Sequence, residues 1–193
     1  FNKRKNMKAY HHEIIDNVVS YISQKYFQAF KKNITQTLLF KILALFDFRV
    51  LKQNGRPCLE LYYTARDRGP VPEQLYNVDL SEYKSFKVKD KKNGDYKTRY
   101  FISVKTPNLD YLAPSEQKIL NLLVDDIIKN KINGSKASDI THKEILAWRT
   151  AYSAKHNSIM SYEDEFPGIK DKSINEMTIP ELNFKKYMEL SNV

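Results

Sequence analysis

The stretch from Ile34 to Lys52 constrains this chain more than any other segment. Leu38, Leu39, Ile42, Leu43, Leu45, Phe46, Phe48, Val50 and Leu51 occupy nearly the whole circumference of a helix rather than one stripe of it. A helix that is apolar all round needs neighbours on several sides, so the segment predicts a central, buried helix. Asn33 is expected as its N-cap, with Gln36 placed to answer it. Asn54-Gly55 offers a left-handed stop, and Pro57 prevents the helix from resuming.

The flanking sequence supplies partners for that helix. Ile14, Ile15, Val18, Val19, Ile22, Tyr26 and Phe30 recur at helical spacing and form one face of an amphipathic helix. Leu59 to Thr64 reads as a short strand or an extended loop. Phe86–Lys89 and Tyr96–Val104 flank Asn93-Gly94, the strongest short hairpin signal, with the turn expected over Lys91–Asp95. Pro114-Ser115-Glu116 opens a helix with Ile119, Leu120, Leu123, Val124, Ile127 and Ile128 inward, and Asn133-Gly134 is expected to end it. Ser135–Ile140 suggests a short helical turn. Thr141 to Glu144 has the pattern of a capping box leading toward Trp148. Pro180 to Leu190 suits a last short helix. The expected fold is mainly α within an α+β class: a compact helical domain around a central apolar helix, with a small β-hairpin.

Composition narrows the functional classes. At 193 residues with 41% hydrophobic content, the chain suits a single domain with a real core. No apolar run approaches the roughly 20 residues of a membrane span. The basic N-terminal lead, residues 1–9, lacks the apolar core of a secretory signal. Cys58 is the only cysteine, which excludes an internal disulfide framework and multi-cysteine zinc sites. A reducing cytoplasm is the expected address. The net charge of +9 is unevenly spread: residues 1–56 carry +8 and residues 84–105 carry +6. Such basic regions suit nucleic acid, an anionic membrane or an acidic protein, or serve solubility alone.

Catalytic inventory is thin. His11 and His12 are adjacent, so on a helix they point about 100° apart and chelate poorly; His142 and His156 stand alone. Gly55, Gly69, Gly94, Gly134 and Gly168 mark breaks, and none belongs to a phosphate-cradling loop. Cys58 lacks a nucleophile signature and suits a small core residue. Glu163-Asp164-Glu165 reads as a solvated acidic segment before a metal or acid–base site. No catalytic, metal-binding or cofactor-binding residue is assigned.

Three ordered segments carry a resemblance: Leu39 to Phe48, then Asn54-Gly55-Arg56-Pro57, then Arg68-Gly69-Pro70-Val71-Pro72. With Leu112 to Glu116 and Ser138 to His142 followed by Trp148, the chain resembles the Panacea family of SocA-like, phage-associated antitoxin domains. The resemblance spans about residues 10–165, leaving 166–193 as a C-terminal extension, helical at least in part. The basic segment Lys89 to Thr98 departs from the pattern. The resemblance implies a mostly helical domain with a small β-element. It also implies the antitoxin half of a toxin–antitoxin pair, acting by direct protein–protein binding on a cognate toxin encoded by a neighbouring gene. It implies no catalytic residue and no cofactor.

The motif residues have physical roles of their own. Gly69 supplies backbone freedom, Pro70 and Pro72 rigidify a turn, Val71 anchors it in the core, and Pro72 pre-shapes the helix that follows. Arg56 either ties its loop to Asp47 or Asp67 or stands exposed. Thr141 is expected as a cap, His142 as a first-turn surface residue, and Trp148 as core. Interface hot spots favour Tyr, Trp and Arg, so Tyr62, Tyr63, Arg66, Arg68 and Tyr76 are the expected binding patch. The competing functions are nucleic-acid binding through the basic N-terminal and hairpin surfaces, and an enzyme built on the acidic cluster.

Overall fold

The computed structural model describes residues 10–76, 78–94 and 96–191; the basic lead, residues 1–9, and Asp95 of the expected turn lie outside them. Helix α1 (His11–Phe30) is followed by a two-residue strand β1 (Ile34–Thr35) and helix α2 (Gln36–Asn54). Strands β2 (Tyr63–Arg66) and β3 (Gly69–Pro72) come next, then β4 (Phe86–Asn93) and β5 (Tyr96–Ser103). Helices α3 (Pro114–Lys129), α4 (Gly134–Glu144), α5 (Leu146–Ala154) and α6 (Ile179–Ser191) complete the chain. The architecture is α+β and mainly helical, as the sequence pattern predicts.

Helix α2 is the centre of the molecule. Every residue from Leu38 to Phe48 is buried, and α1, α3, α4, α6, β3 and β5 all pack on it. The apolar circumference read from the sequence is therefore covered on all sides. Gly55 closes the helix at φ +78°, its N–H donating to Leu51 O at 2.7 Å.

Two small antiparallel sheets flank the helices. One has the order β1-β5-β4 and the other pairs β2 with β3. The long hairpin turns tightly, with Asn93 opposite Tyr96, so β4 runs on past Lys89 into the expected five-residue loop, while β5 begins at Tyr96 as expected. At its base, Asp16 of α1 accepts from the N–H of Ser85 at 2.9 Å, fixing the hairpin to the helix.

Several local expectations are corrected. Thr35, not Asn33, caps α2, because Ile34 and Thr35 are held extended by pairing with Phe101 and Tyr100. Asn133-Gly134 opens α4 rather than ending α3: the Asn133 side chain accepts from Lys136 N at 3.0 Å. Thr141 is no cap; it lies inside α4, is buried, and donates to Ser138 O at 2.7 Å. His142 accordingly sits in the last turn of α4 instead of the first turn of a helix. The Gly-Pro-Val-Pro segment is strand β3 rather than a free turn. In it Gly69, Pro70 and Pro72 are buried and Val71 is the partly exposed residue, the reverse of the expected anchor. Pro70 and Pro72 lack N–H donors, which an edge strand tolerates.

Beyond Phe166 the chain folds back on the core. Phe184 of α6 is 1% exposed and packs in a tilted arrangement against Phe166, 4.8 Å between centroids.

Candidate functional site

Beside the β2–β3 hairpin, α2 carries its two buried charges, and each is answered differently. Asp47, fully buried, accepts from Leu59 N at 2.7 Å, from Tyr162 Oη at 2.8 Å and from Tyr63 Oη at 3.3 Å. Burial and then the Asp47 carboxylate push both phenols well above their ordinary range, so they stay protonated donors. This cluster locks the start of β2 and the Tyr162 turn onto the central helix.

Lys41 is 2% exposed and has no such carboxylate. Its Nζ donates to Pro70 O at 2.7 Å. Burial, followed by the neighbouring Arg66 charge, lowers its pKa to about 7. Gly69 makes this packing possible. At φ +91° it passes so close to α2 and α4 that a methyl there would lie 2.7 Å from Thr141 Oγ1 and 3.1 Å from Lys41 Cε. Ser138 of α4 donates to Arg68 O at 2.8 Å, and Trp148 Nε1 donates to Arg66 O at 3.2 Å, so α4 and α5 hold the hairpin from behind.

The front of the hairpin opens into a cleft of about 410 Å³, lined by Thr37, Lys41, Arg66, Asp67, Arg68 and Tyr76 among others. Arg66 lies over the Tyr76 ring at 4.2 Å and donates through Nη2 to Glu73 at 3.1 Å. Its Nε is buried without a hydrogen-bond partner among the described residues. Behind the hairpin runs a column of rings: His142 on Trp148 at 3.8 Å, Trp148 on Tyr152 at 4.7 Å, and Tyr152 on His156 at 4.1 Å. Tyr152 Oη donates to Asp67 at 3.2 Å, which joins the column to the cleft. Burial and then the Lys41 charge lower the pKa of His142, with Asp139 opposing.

The structure separates the expected binding residues. Arg66, Arg68 and Tyr76 line one cleft. Tyr62 is exposed at 63%, beside the turn that follows β3, where its N–H donates to Gln74. Tyr63 is corrected: at 2% exposure its side chain belongs to the Asp47 cluster and presents nothing to a partner. Arg56 is exposed, the second of its two alternatives, while Pro57 is buried. Trp148 is core, as expected, at 8% exposure. The acids of residues 163–165 diverge. Glu165 turns inward to accept from Ala147 N at 2.8 Å and pair with Lys52 at 3.0 Å, whereas Glu163 pairs with Lys170 at 2.7 Å. Among the described residues no cluster of three or more His, Cys, Asp or Glu side chains is arranged to hold a metal ion, and no helix is long and apolar enough to cross a membrane.

Lys41 lies in the Leu39–Phe48 segment without an expected role there, although a trace of one is present in the sequence: one lysine set between Phe40 and Ile42 in a helix apolar all round. Asp67 gives no such signal, because its role arises only where Tyr152 and the hairpin meet.

The family model for SocA-like antitoxins, the Panacea domain, matches residues 39–149. No curated protein and no solved structure shows a match. The matched span is shorter at both ends than the resemblance implies, but it holds α2 from Leu39 onward, both hairpins, the cleft residues on β2 and β3, and Trp148. Covering more than half of the sequence, it establishes that the chain belongs to the SocA-like antitoxin, Panacea domain family.

Proposed function

We propose that this protein is an antitoxin that neutralises a cognate protein toxin by direct binding, with the β2–β3 face as its contact surface. Membership of the Panacea family suggests the antitoxin role and a toxin partner. The observation that carries the choice of face is the cleft itself. It gathers an arginine stacked on a tyrosine, a second exposed arginine and a rigid two-stranded hairpin braced from behind by α4 and α5. Tyrosine and arginine are enriched among interface hot spots, and Arg66, already held on Tyr76 and Glu73, has less conformational freedom left to lose on binding. The reaction-free reading agrees with the family and with acids engaged in structural ion pairs. Co-expression with the product of the adjacent gene tests it. Growth should stop with that product alone and recover with both; a harmless neighbour, or one that this protein does not relieve, ends the proposal.

One observation favours a second reading. Lys87, Lys89 and Lys91 alternate along β4, share one face of the long hairpin and are exposed, with Tyr100 and Tyr96 on the same face of β5. Lysines at two-residue spacing along a strand stand roughly 6.6 Å apart, a row suited to successive phosphates. If this face binds nucleic acid, affinity should fall steeply with salt, and replacing the three lysines by glutamate should abolish retention of an oligonucleotide while neutralisation persists. Binding that is absent at low salt rejects this reading.

A further inference from the structure

Charges taken out of water are normally paired. Lys41 violates that rule in an informative place. Its ammonium has three N–H donors, and among the described residues a single neutral acceptor, Pro70 O, is within reach. The charge that acts on it is of its own sign, that of Arg66, and its own charge in turn disfavours protonation of His142. Arg66 contributes a buried Nε with no partner, and Arg68 extends the positive wall of the same cleft. The cleft is open, and it brings these cations together at its floor and side.

We propose that this cleft is a receptor for one carboxylate, an aspartate or glutamate side chain of the partner protein, held between Lys41, Arg66 and Arg68. The inference rests on the antitoxin reading, in which the partner is the toxin. Asp67 on the lining and Glu73 paired with Arg66 offset two of the three cations, so with Lys41 protonated one positive charge is left to be answered, and a carboxylate would accept from an ammonium and from guanidinium N–H groups at once. A single carboxylate fits better than a polyanion. Asp67 lies on the cleft wall and Glu73 is held beside Arg66, so the next phosphates of a nucleic-acid strand would meet negative charge. The arrangement also gives Gly69 a purpose beyond turning the chain: without a side chain it lets β3 pass over Lys41, so that Pro70 O can hold the ammonium in place.

The test uses the full chain and needs no toxin. The Lys41 side-chain resonances are followed by NMR through a pH titration, alone and with N-acetyl-glutamate amide, inorganic phosphate or a short oligothymidylate. The capped glutamate should raise the Lys41 midpoint by about one pH unit, saturably, because an opposite charge within contact distance favours the ammonium. Arg68→Gln, an exposed change that leaves the core intact, should remove most of that response. Failure of capped glutamate to move the midpoint overturns the proposal, and so does a response to oligothymidylate larger than the response to glutamate. The two readings fail separately. Rescue of growth by wild type with an unresponsive Lys41 rejects the site alone, whereas a responsive Lys41 in a protein that rescues nothing rejects the antitoxin reading and leaves an anion site of other use.

Discussion

Gly69 and Gly94 both have positive φ, at +91° and +60°, yet they stand in opposite surroundings. A methyl at Gly69 meets Thr141, Lys41 and His142, whereas one at Gly94 meets nothing within 4 Å. Left-handed backbone costs an L-residue about 1–2 kcal/mol, and overpacking adds about 1–3. Gly69→Ala should therefore destabilise by about 2–5 kcal/mol in urea unfolding and Gly94→Ala by about 1–2; equal costs would contradict the close packing. Lys41 makes a prediction with a definite sign. Its folded pKa is about 7 against an ordinary 10.5, so between those values the unfolded chain holds a proton that the folded chain has released. Stability should rise with pH across that window by up to about 1.4 kcal/mol per pH unit from this group, and stay level with respect to it below about 7. Lys41→Met should flatten that rise when unfolding is measured from pH 7 to 10. An unchanged slope would mean that the ammonium is solvated. At this scale sequence was a partial guide. Tyr62 and Tyr63 are neighbours of one type, and strand alternation sends one outward and the other to Asp47, a choice that composition does not encode.

Elements with strong periodicity were legible: α1, α2, α3, the β4–β5 hairpin and α6 lie where their apolar spacing puts them, while the cap residues misplaced the start of α2 and the end of α3. The elements that depend on distant partners were not. Pro70 and Pro72 argue against a strand locally, but β3 pairs with Arg66 to Tyr63 and rests on α2 and α4. Helix α4 begins at a glycine and holds Ser and Thr, poor helix formers, and it persists because Ala137, Ser138 and Thr141 are buried. Helix α6 carries an element-scale prediction. Phe184 is buried between Phe166 and Tyr187, and the helix backbone closes over Gly55, where a methyl would lie 2.2 Å from Pro180 O. Phe184→Ala should cost about 3–5 kcal/mol, seen as a lower urea midpoint with an unchanged slope. A loss under 1 kcal/mol would make residues 166–193 an accessory to a domain that is stable without them.

At the scale of the whole molecule, a buried helix organises one core, and the proposed contact face lies on the surface that the core supports. That core was legible in outline, since the apolar residues of α2 cover its whole circumference. The cleft was legible only in part: Arg66, Arg68 and Tyr76 were expected in one patch, but Lys41 joins them only when β3 folds back onto α2. The central claim is that neutralisation works by direct contact at that face. Titration calorimetry between the purified protein and the product of the adjacent gene measures it, with wild type beside Arg68→Glu. Direct contact predicts saturable binding by the wild type and at least about a tenfold weaker Kd for the charge reversal, roughly 1.4 kcal/mol or more. Growth rescue without measurable association, or equal affinity for both proteins, would contradict it.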